Sequence, residues 1–230
     1  GAIGAAPLVR AAASPRPKAP RSVVLLWLAG GPSHVDTFDP KPGRPTGGPF
    51  RAIETAIAGV RFSEHLPQLA AQAGRLAVLR GLTTREGNHQ RATYLLHTGY
   101  VPSPTVEHPA LGAWLSAELA DPRADLPAFI SIRGPSASAG FLGVQHGPFV
   151  VPAPGQRPEN TEYPRSVDSV RFLRRQTALS ALEDDFQART QDPRLVGRRA
   201  VYERALKLMY TPRLRAFDLA EEPEALVRAY

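Results

Sequence analysis

The chain of 230 residues contains 28 lysines and arginines against 21 aspartates and glutamates, so its net charge is +7, and it contains no cysteine. The absence of cysteine excludes disulfide bonds, thiolate metal ligands and thiol nucleophiles. Most arginines are scattered along the chain, with 171-RFLRR-175 and 198-RR-199 in predicted helices. No basic face interleaved with aromatic residues and no recognisable nucleic-acid-binding module is visible, so nucleic acid is not an expected partner.

The first 21 residues combine a small-residue apolar run with a basic, proline-rich stretch, GAIGAAPLVRAAASPRPKAPR. An apolar run followed by Ala-Ala-Ala-Ser resembles the end of a secretory signal peptide near its cleavage site. An alanine- and proline-rich terminus without a targeting role has the same composition. Residues 1–21 are therefore predicted to be a signal-peptide remnant or a proline-rich tail. No segment approaches the roughly 20 apolar residues that span a bilayer, so no transmembrane span is expected.

Three apolar segments are predicted to form strands of one mainly parallel sheet. Residues 23–28, VVLLWL, form a continuous apolar run that ends at two glycines. Such a run is typical of a strand that is buried on both faces. Residues 76–82 and 126–132 are predicted to be the second and third strands, and residues 141–151 a short hairpin or edge strand.

Helical periodicity is predicted between these strands. Amphipathic helices are expected over residues 65–75, 88–100 and 108–120. The second of them ends at Gly99, because glycine is favoured at the C-terminal cap of a helix. Alternating strands and helices are typical of an α/β fold with a mainly parallel sheet and flanking helices.

Two long helices are predicted in the last third of the chain, over residues 168–190 and 194–210, with a short helical stretch in residues 215–230. Their apolar residues recur at three- and four-residue spacing. Nothing later in the chain would cover these apolar stripes, so a further segment or another chain is expected to cover them. We therefore expect residues 22–165 to be the N-terminal part of an α/β domain, and residues 166–230 to be a helical segment of the same domain that continues beyond the chain.

Polar residues follow the first predicted strand, where Ser33, His34, Asp36 and Asp39 lie close together. Because ligands of parallel α/β sheets bind at the carboxyl ends of the strands, this loop is a candidate metal or catalytic site. The same residues also suit a turn rich in serine and aspartate, with Asp36 as the cap of a following helix. Both alternatives stay open at this point.

A second polar group, Asn88, His89 and Arg91, begins the helix predicted from residue 88. An imidazole at the N-terminus of a helix is able to ligate a metal or to act as an attacking base or nucleophile. The alternative is a histidine that caps the helix or packs locally. His108 and His146 adjoin proline or glycine in loops, and the sequence indicates no geometry for them.

The chain resembles the bacterial exported domain-of-unknown-function 1501 family from about Arg21 to Tyr230. The segments that carry the resemblance include RSVVLLWLAGGPSHVDTFDPKPG, NHQRATYLLHTGY and AFDLAEEPEALVRAY, and Gly-Gly-Pro-Ser…Asp-Thr-Phe-Asp-Pro-Lys-Pro is the most specific stretch. The family is similar to the alkaline-phosphatase-like, or sulfatase-like, superfamily. The resemblance implies an exported protein, periplasmic or extracytoplasmic, with a twin-arginine signal. It also implies that this chain corresponds to the N-terminal half only.

The resemblance implies a metal-dependent hydrolase of phosphate or sulfate esters, whose divalent metal would be Zn, Ca or Mg. The implied metal ligands are Asp36 and His89, and the implied catalytic residues are His89 and Arg91. Other residues are expected on the rim of the site, namely Ser33, His34 and Asn88. In this arrangement Asp36, His89 and Arg91 face one another across the crevice at the strand ends.

The chain departs from the superfamily pattern at two positions. The superfamily places its metal-binding aspartate almost directly at the strand end, whereas Asp36 lies farther along the loop. Its nucleophile position falls on Gly87 or Asn88, neither of which carries a hydroxyl. Because the chain has no cysteine that could become formylglycine, a sulfatase of that type is not expected.

The missing nucleophile favours a second hypothesis, in which the protein is a non-catalytic scaffold or binding subunit of a larger extracytoplasmic assembly. Enzymatic activity is therefore left open. The implied partners are the C-terminal half of the same gene product or another protein chain, and a membrane-associated complex is compatible with either. No nucleotide is expected, because the glycine-rich nucleotide motifs are absent, and no haem is expected, because the chain lacks a haem-attachment motif.

Overall fold

A computed structural model describes residues 22–121, 123–134, 137–155, 158–192 and 194–229. The predicted signal remnant or tail, residues 1–21, lies outside these ranges. The chain divides into two compact units between Thr83 and Thr84. Each unit combines helices with a two-stranded sheet, so the prediction of a mixed α/β protein is confirmed.

The first unit is built on an antiparallel hairpin. Strands β1 (Ala52–Glu54) and β2 (Arg61–Ser63) pair with Ile53 opposite Phe62. Helix α1 (Pro67–Ala71) follows, with a proline in its first turn, where a missing N–H group is tolerated. The predicted helix in this segment is confirmed, whereas β1 has no predicted counterpart.

The core of the first unit lies between this hairpin and α1. Phe62 is 1% exposed and packs with Ala70. The ring of Phe38 meets the Phe62 ring edge-on, with the ring centres 5.2 Å apart. The backbone N–H of Ser63 donates to the carbonyl of Thr37 over 2.7 Å. These contacts attach the turn at residues 33–39 to the hairpin and so fix the position of the predicted site residues within it.

The predicted strands at residues 23–28 and 76–82 are wrong, because the structure forms no strand in either segment. The six side chains of residues 23–28 are between 39% and 89% exposed. A strand that is buried on both faces needs hydrogen-bonded neighbours, and no strand of the described ranges pairs with these segments. The predicted three-stranded parallel sheet is therefore not formed.

The second unit contains one parallel pair of strands. Strands β3 (Ile130–Ile132) and β4 (Phe149–Val151) lie side by side in the same direction. β3 occupies the end of the predicted third strand, and β4 the end of the predicted hairpin or edge. The connection between them contains two single-turn helices, Gly140–Leu142 and Val144–His146.

Two helices of the second unit come before this pair. Helix α2 (His89–Thr98) ends at Gly99, which adopts a left-handed conformation with a φ of 81° and confirms the predicted cap. Helix α3 (Leu111–Leu119) begins three residues later than predicted. It packs closely on the Phe129 ring, since a Cβ atom at Gly112 would lie 2.3 Å from that ring.

The predicted long helices are confirmed as α4 (Ser169–Thr190) and α5 (Arg194–Tyr210), and a short helix α6 (Glu224–Val227) follows. Asp168 caps α4, because its carboxylate accepts a 2.7 Å hydrogen bond from the backbone N–H of Arg171. Among the residues described, no helix combines the length and the apolar character that a membrane crossing requires.

Candidate functional site

The turn at residues 33–39 contains three of the predicted site residues. The backbone N–H of Asp39 donates to the carbonyl of His34 over 2.8 Å, and that of Asp36 donates to the carbonyl of Ser33 over 3.3 Å. The side chains of Ser33 and His34 are exposed. No helix begins at Asp36, so the alternative in which Asp36 caps a following helix is wrong.

Asp36 has a carboxylate oxygen without a hydrogen-bond partner. Its Oδ1 atom is buried, and no donor of the described residues contacts it. This oxygen occupies space that a side chain at Gly48 would fill, because a Cβ atom there would lie 2.3 Å from Oδ1. A buried anionic oxygen is costly unless a donor or a cation compensates it. Asp36 is therefore suited to hold a cation.

Asp39, the other carboxylate of the turn, is already paired with cations. Its Oδ2 accepts a 2.5 Å hydrogen bond from Lys41, and its Oδ1 lies 3.8 Å from Nε of Arg80. The hydrogen bond from Lys41 holds the pKa of Asp39 below its ordinary value, and the charges of Lys41 and Arg80 act in the same direction. The geometry therefore favours Asp36 over Asp39 as a metal ligand.

Asn88 holds the start of α2. Its side-chain oxygen accepts hydrogen bonds from the backbone N–H groups of Gln90 at 3.0 Å and Arg91 at 3.1 Å. These donors have no partner inside the helix, so an asparagine at this position stabilises the first turn. His89 is the first residue of α2, and its side chain is exposed. The cap is thus formed by Asn88 and not by His89.

Arg91 is held by Glu86. Its Nε atom donates to Oε2 of Glu86 over 2.8 Å, and the side chains of Glu86 and Arg91 are 13% and 50% exposed. An arginine that binds a phosphate or sulfate presents two parallel N–H donors to it. In this structure the Nε donor is committed to Glu86. Glu86 is absent from the predicted site residues, because a spacing of five residues signals no ion pair.

The predicted site residues are distributed over both units. Asp36 lies in the first unit, and Asn88, His89 and Arg91 lie together at the start of α2 in the second. That Asp36 faces His89 and Arg91 stays a prediction, because Asp36 belongs to a different unit from the other two residues. Within the described part of the chain, no three histidine, aspartate or glutamate side chains form a group that could hold a metal.

A group of polar and aromatic side chains surrounds His108 in the second unit. The Tyr94 hydroxyl lies 3.2 Å from Nδ1 of His108 and accepts a 2.7 Å hydrogen bond from its backbone N–H. The ring of Tyr100 stacks on the imidazole, with ring centres 4.1 Å apart and an angle of 8°. Sequence reasoning misses this cluster, because no periodic spacing connects α2 to the loop that carries His108.

His146 lies beside α5 with a buried Nδ1 atom that has no partner among the described residues. Burial lowers the pKa of His146, and the nearby positive charge of Arg204 lowers it further. The guanidinium of Arg204 donates to the carbonyl of Gln145. Burial also lowers the pKa of His97. Both imidazoles are therefore mainly neutral at pH 7.

These features define a mixed α/β protein in which Asp36 has a buried oxygen without a hydrogen-bond partner among the described residues, and His89 is exposed at the start of α2. Residues 20–230 match the family described as a protein of unknown function, DUF1501. The match spans most of the chain, so the chain belongs to that family, and the resemblance inferred from the sequence is confirmed at this level. No curated protein and no solved structure matches the chain.

Proposed function

We propose that this chain is the N-terminal part of an exported, alkaline-phosphatase-like protein that hydrolyses phosphate or sulfate esters with a divalent cation. The observation that chiefly supports the proposal is the buried Oδ1 of Asp36, which has no hydrogen-bond partner among the described residues. The remaining ligands would come from the C-terminal half of the same gene product or from another chain. The exposed apolar residues 23–28 would be covered by the same partner.

The donor atoms suit such a cation. Asp36 offers an anionic oxygen, which Zn, Ca and Mg all accept as a ligand. Gly48 keeps the space beside that oxygen free of a side chain. His89 offers an exposed imidazole, which suits Zn in particular. A bound divalent cation would polarise the ester oxygen and make the ester more susceptible to attack.

The start of α2 supplies the groups that act on the ester itself. We assign His89 to proton transfer or to nucleophilic attack, the two roles that an imidazole at neutral pH can perform. We assign Arg91 to the anionic part of the substrate. Its Nε donor is held by Glu86, so the remaining N–H groups of the guanidinium would contact the phosphate or sulfate oxygens.

A non-catalytic scaffold is the second candidate function. It is favoured by Gly87 and Asn88, the two expected nucleophile positions, because neither carries a hydroxyl and the side chain of Asn88 is used to cap α2. The commitment of Arg91 to Glu86 favours it as well. In this case the exposed apolar residues 23–28 would serve only as an interface with the partner.

An assay of the protein expressed from the whole gene distinguishes the two functions. It measures the hydrolysis of p-nitrophenyl phosphate and p-nitrophenyl sulfate with Zn, Ca or Mg added. The hydrolase proposal predicts a metal-dependent rate that falls by roughly 100-fold or more in His89→Gln, which loses general acid–base or nucleophilic catalysis. His65→Gln is the matched control, since His65 lies outside the proposed site against the Phe50 ring. Absence of hydrolysis with every metal and both esters would favour the scaffold.

A further inference from the structure

Three exposed arginines lie on one side of the first two turns of α4: Arg171, Arg174 and Arg175. Residues three and four positions apart are neighbours on the surface of a helix, so the three guanidinium groups form one patch. None of the three guanidinium groups forms a hydrogen bond or an ion pair within the described residues. We propose that this α4 arginine patch binds an anionic lipid surface.

The patch is electrostatically unfavourable in the protein by itself. Positive charges repel one another at these spacings, and the N-terminal end of a helix disfavours cations. The first turn of α4 contains no acidic residue, and the carboxylate of Asp168, which caps the helix through the backbone N–H of Arg171, forms no ion pair with the three guanidinium groups. Other arginines of α4 and α5 form ion pairs. The guanidinium group of Arg189 lies 2.6 Å from the carboxylate of Asp185, and that of Arg199 lies 2.6 Å from the carboxylate of Asp184. The uncompensated charge at the start of α4 therefore suits an anion outside the chain.

Two apolar side chains lie beside the patch. Val170 and Leu173 are 57% and 59% exposed, and together with Arg174 they show the same spacing of three and four residues. Phe172 lies on the opposite side of the helix, half-buried, with its ring 5.0 Å from the ring of Tyr163. The side of α4 opposite Phe172 thus carries apolar and cationic groups together.

This combination favours a lipid surface over a soluble polyanion. At a bilayer the guanidinium groups pair with lipid phosphates while the apolar side chains enter the boundary between headgroups and acyl chains. A nucleic acid or polyphosphate would compensate the arginines but would leave Val170 and Leu173 in water. The inference does not depend on the proposed function, because binding at this patch uses neither Asp36 nor His89.

Sedimentation of the protein with lipid vesicles tests the proposal. We expect binding to vesicles of phosphatidylglycerol and phosphatidylcholine in equal parts, weaker binding as salt is added, and little binding to phosphatidylcholine alone. Each arginine near such a surface strengthens binding by roughly fivefold. The variant R171A/R174A/R175A should therefore bind the anionic vesicles more weakly, on the order of 100-fold. The variant with three lysines at these positions should keep most of the binding, because a lipid surface responds to charge.

The matched control replaces three exposed arginines elsewhere in the chain, R44A/R75A/R85A, and so removes the same amount of charge. This variant should bind like the wild type, whereas Leu173→Gln should bind several-fold more weakly. Circular dichroism checks the fold of each variant, and Arg174→Ala alone repeats the test if the triple variant does not fold. Equal binding of the wild type to both kinds of vesicle would overturn the proposal. The proposal would also be overturned if R44A/R75A/R85A lost as much binding as R171A/R174A/R175A. It would likewise be overturned if the patch bound single-stranded DNA or polyphosphate while the protein did not bind vesicles.

Discussion

Nε of Arg91 donates to Oε2 of Glu86 over 2.8 Å, and Glu86 is the more buried partner of this ion pair. Arg91→Ala leaves the buried carboxylate without its donor, so it should lower the free energy of unfolding by about 1–3 kcal/mol. Glu86→Gln keeps an oxygen that accepts from Arg91 and should lower the free energy by less than about 1 kcal/mol. Urea denaturation measures both values. Losses below about 0.5 kcal/mol in both variants would contradict a stabilising role of this ion pair.

The hydroxyl of Tyr94 connects α2 to the loop that carries His108, through contacts with both the backbone N–H and Nδ1 of the histidine. Tyr94→Phe removes this hydroxyl and leaves both histidine groups unpaired, so it should lower the free energy of unfolding by about 1–3 kcal/mol. Tyr202→Phe is the control, since Tyr202 lies on α5 with its ring 5.5 Å from the guanidinium carbon of Arg198. The control should change the free energy by less than about 0.5 kcal/mol. A loss of similar size in both variants would be incompatible with a structural role of the Tyr94 hydroxyl.

The half-buried imidazole of His146 predicts a loss of stability on mild acidification. Burial and the charge of Arg204 lower the pKa of His146 from the ordinary value of 6.5. Below pH 6.5 the unfolded chain therefore binds a proton that the folded protein does not bind, and the free energy of unfolding falls until the pH reaches the folded pKa. His146→Gln should reduce this pH dependence, whereas His89→Gln, at an exposed position, should leave it in place. The prediction fails if the wild type and His146→Gln lose stability in parallel between about pH 6.5 and 5.

The helices could be predicted because their signals are local. Gly99 ends α2 as predicted, and Asp168, where the predicted helix over residues 168–190 begins, caps α4. The strands could not be predicted in the same way, because an apolar run becomes a strand only when another segment pairs with it. Residues 23–28 have the composition of a buried strand and no paired strand among those described. Strand β4 is formed because β3 lies beside it.

The candidate site, too, could be predicted where its signals are local and not where it depends on contacts between distant residues. The sequence places Asn88, His89 and Arg91 together at a helix start, and the structure confirms that placement. The pairing of Arg91 with Glu86 depends on side-chain directions that a spacing of five residues does not determine. The choice between Asp36 and Asp39 depends on contacts with residues distant in the sequence: Gly48 lies beside the first, and Arg80 lies beside the second. Neither contact follows from a motif.

The metal content of the protein expressed from the whole gene tests the central claim most directly. Asp36→Asn removes the charge from the uncompensated carboxylate and should lower the content of bound divalent metal, measured by elemental analysis after dialysis. Asp39→Asn is the matched control in the same turn, and it should leave the metal content unchanged, because Lys41 and Arg80 already pair with Asp39. We predict a loss of metal in Asp36→Asn alone. Equal metal content in the wild type and Asp36→Asn, or a wild type without metal, would contradict the assignment of Asp36 as a metal ligand.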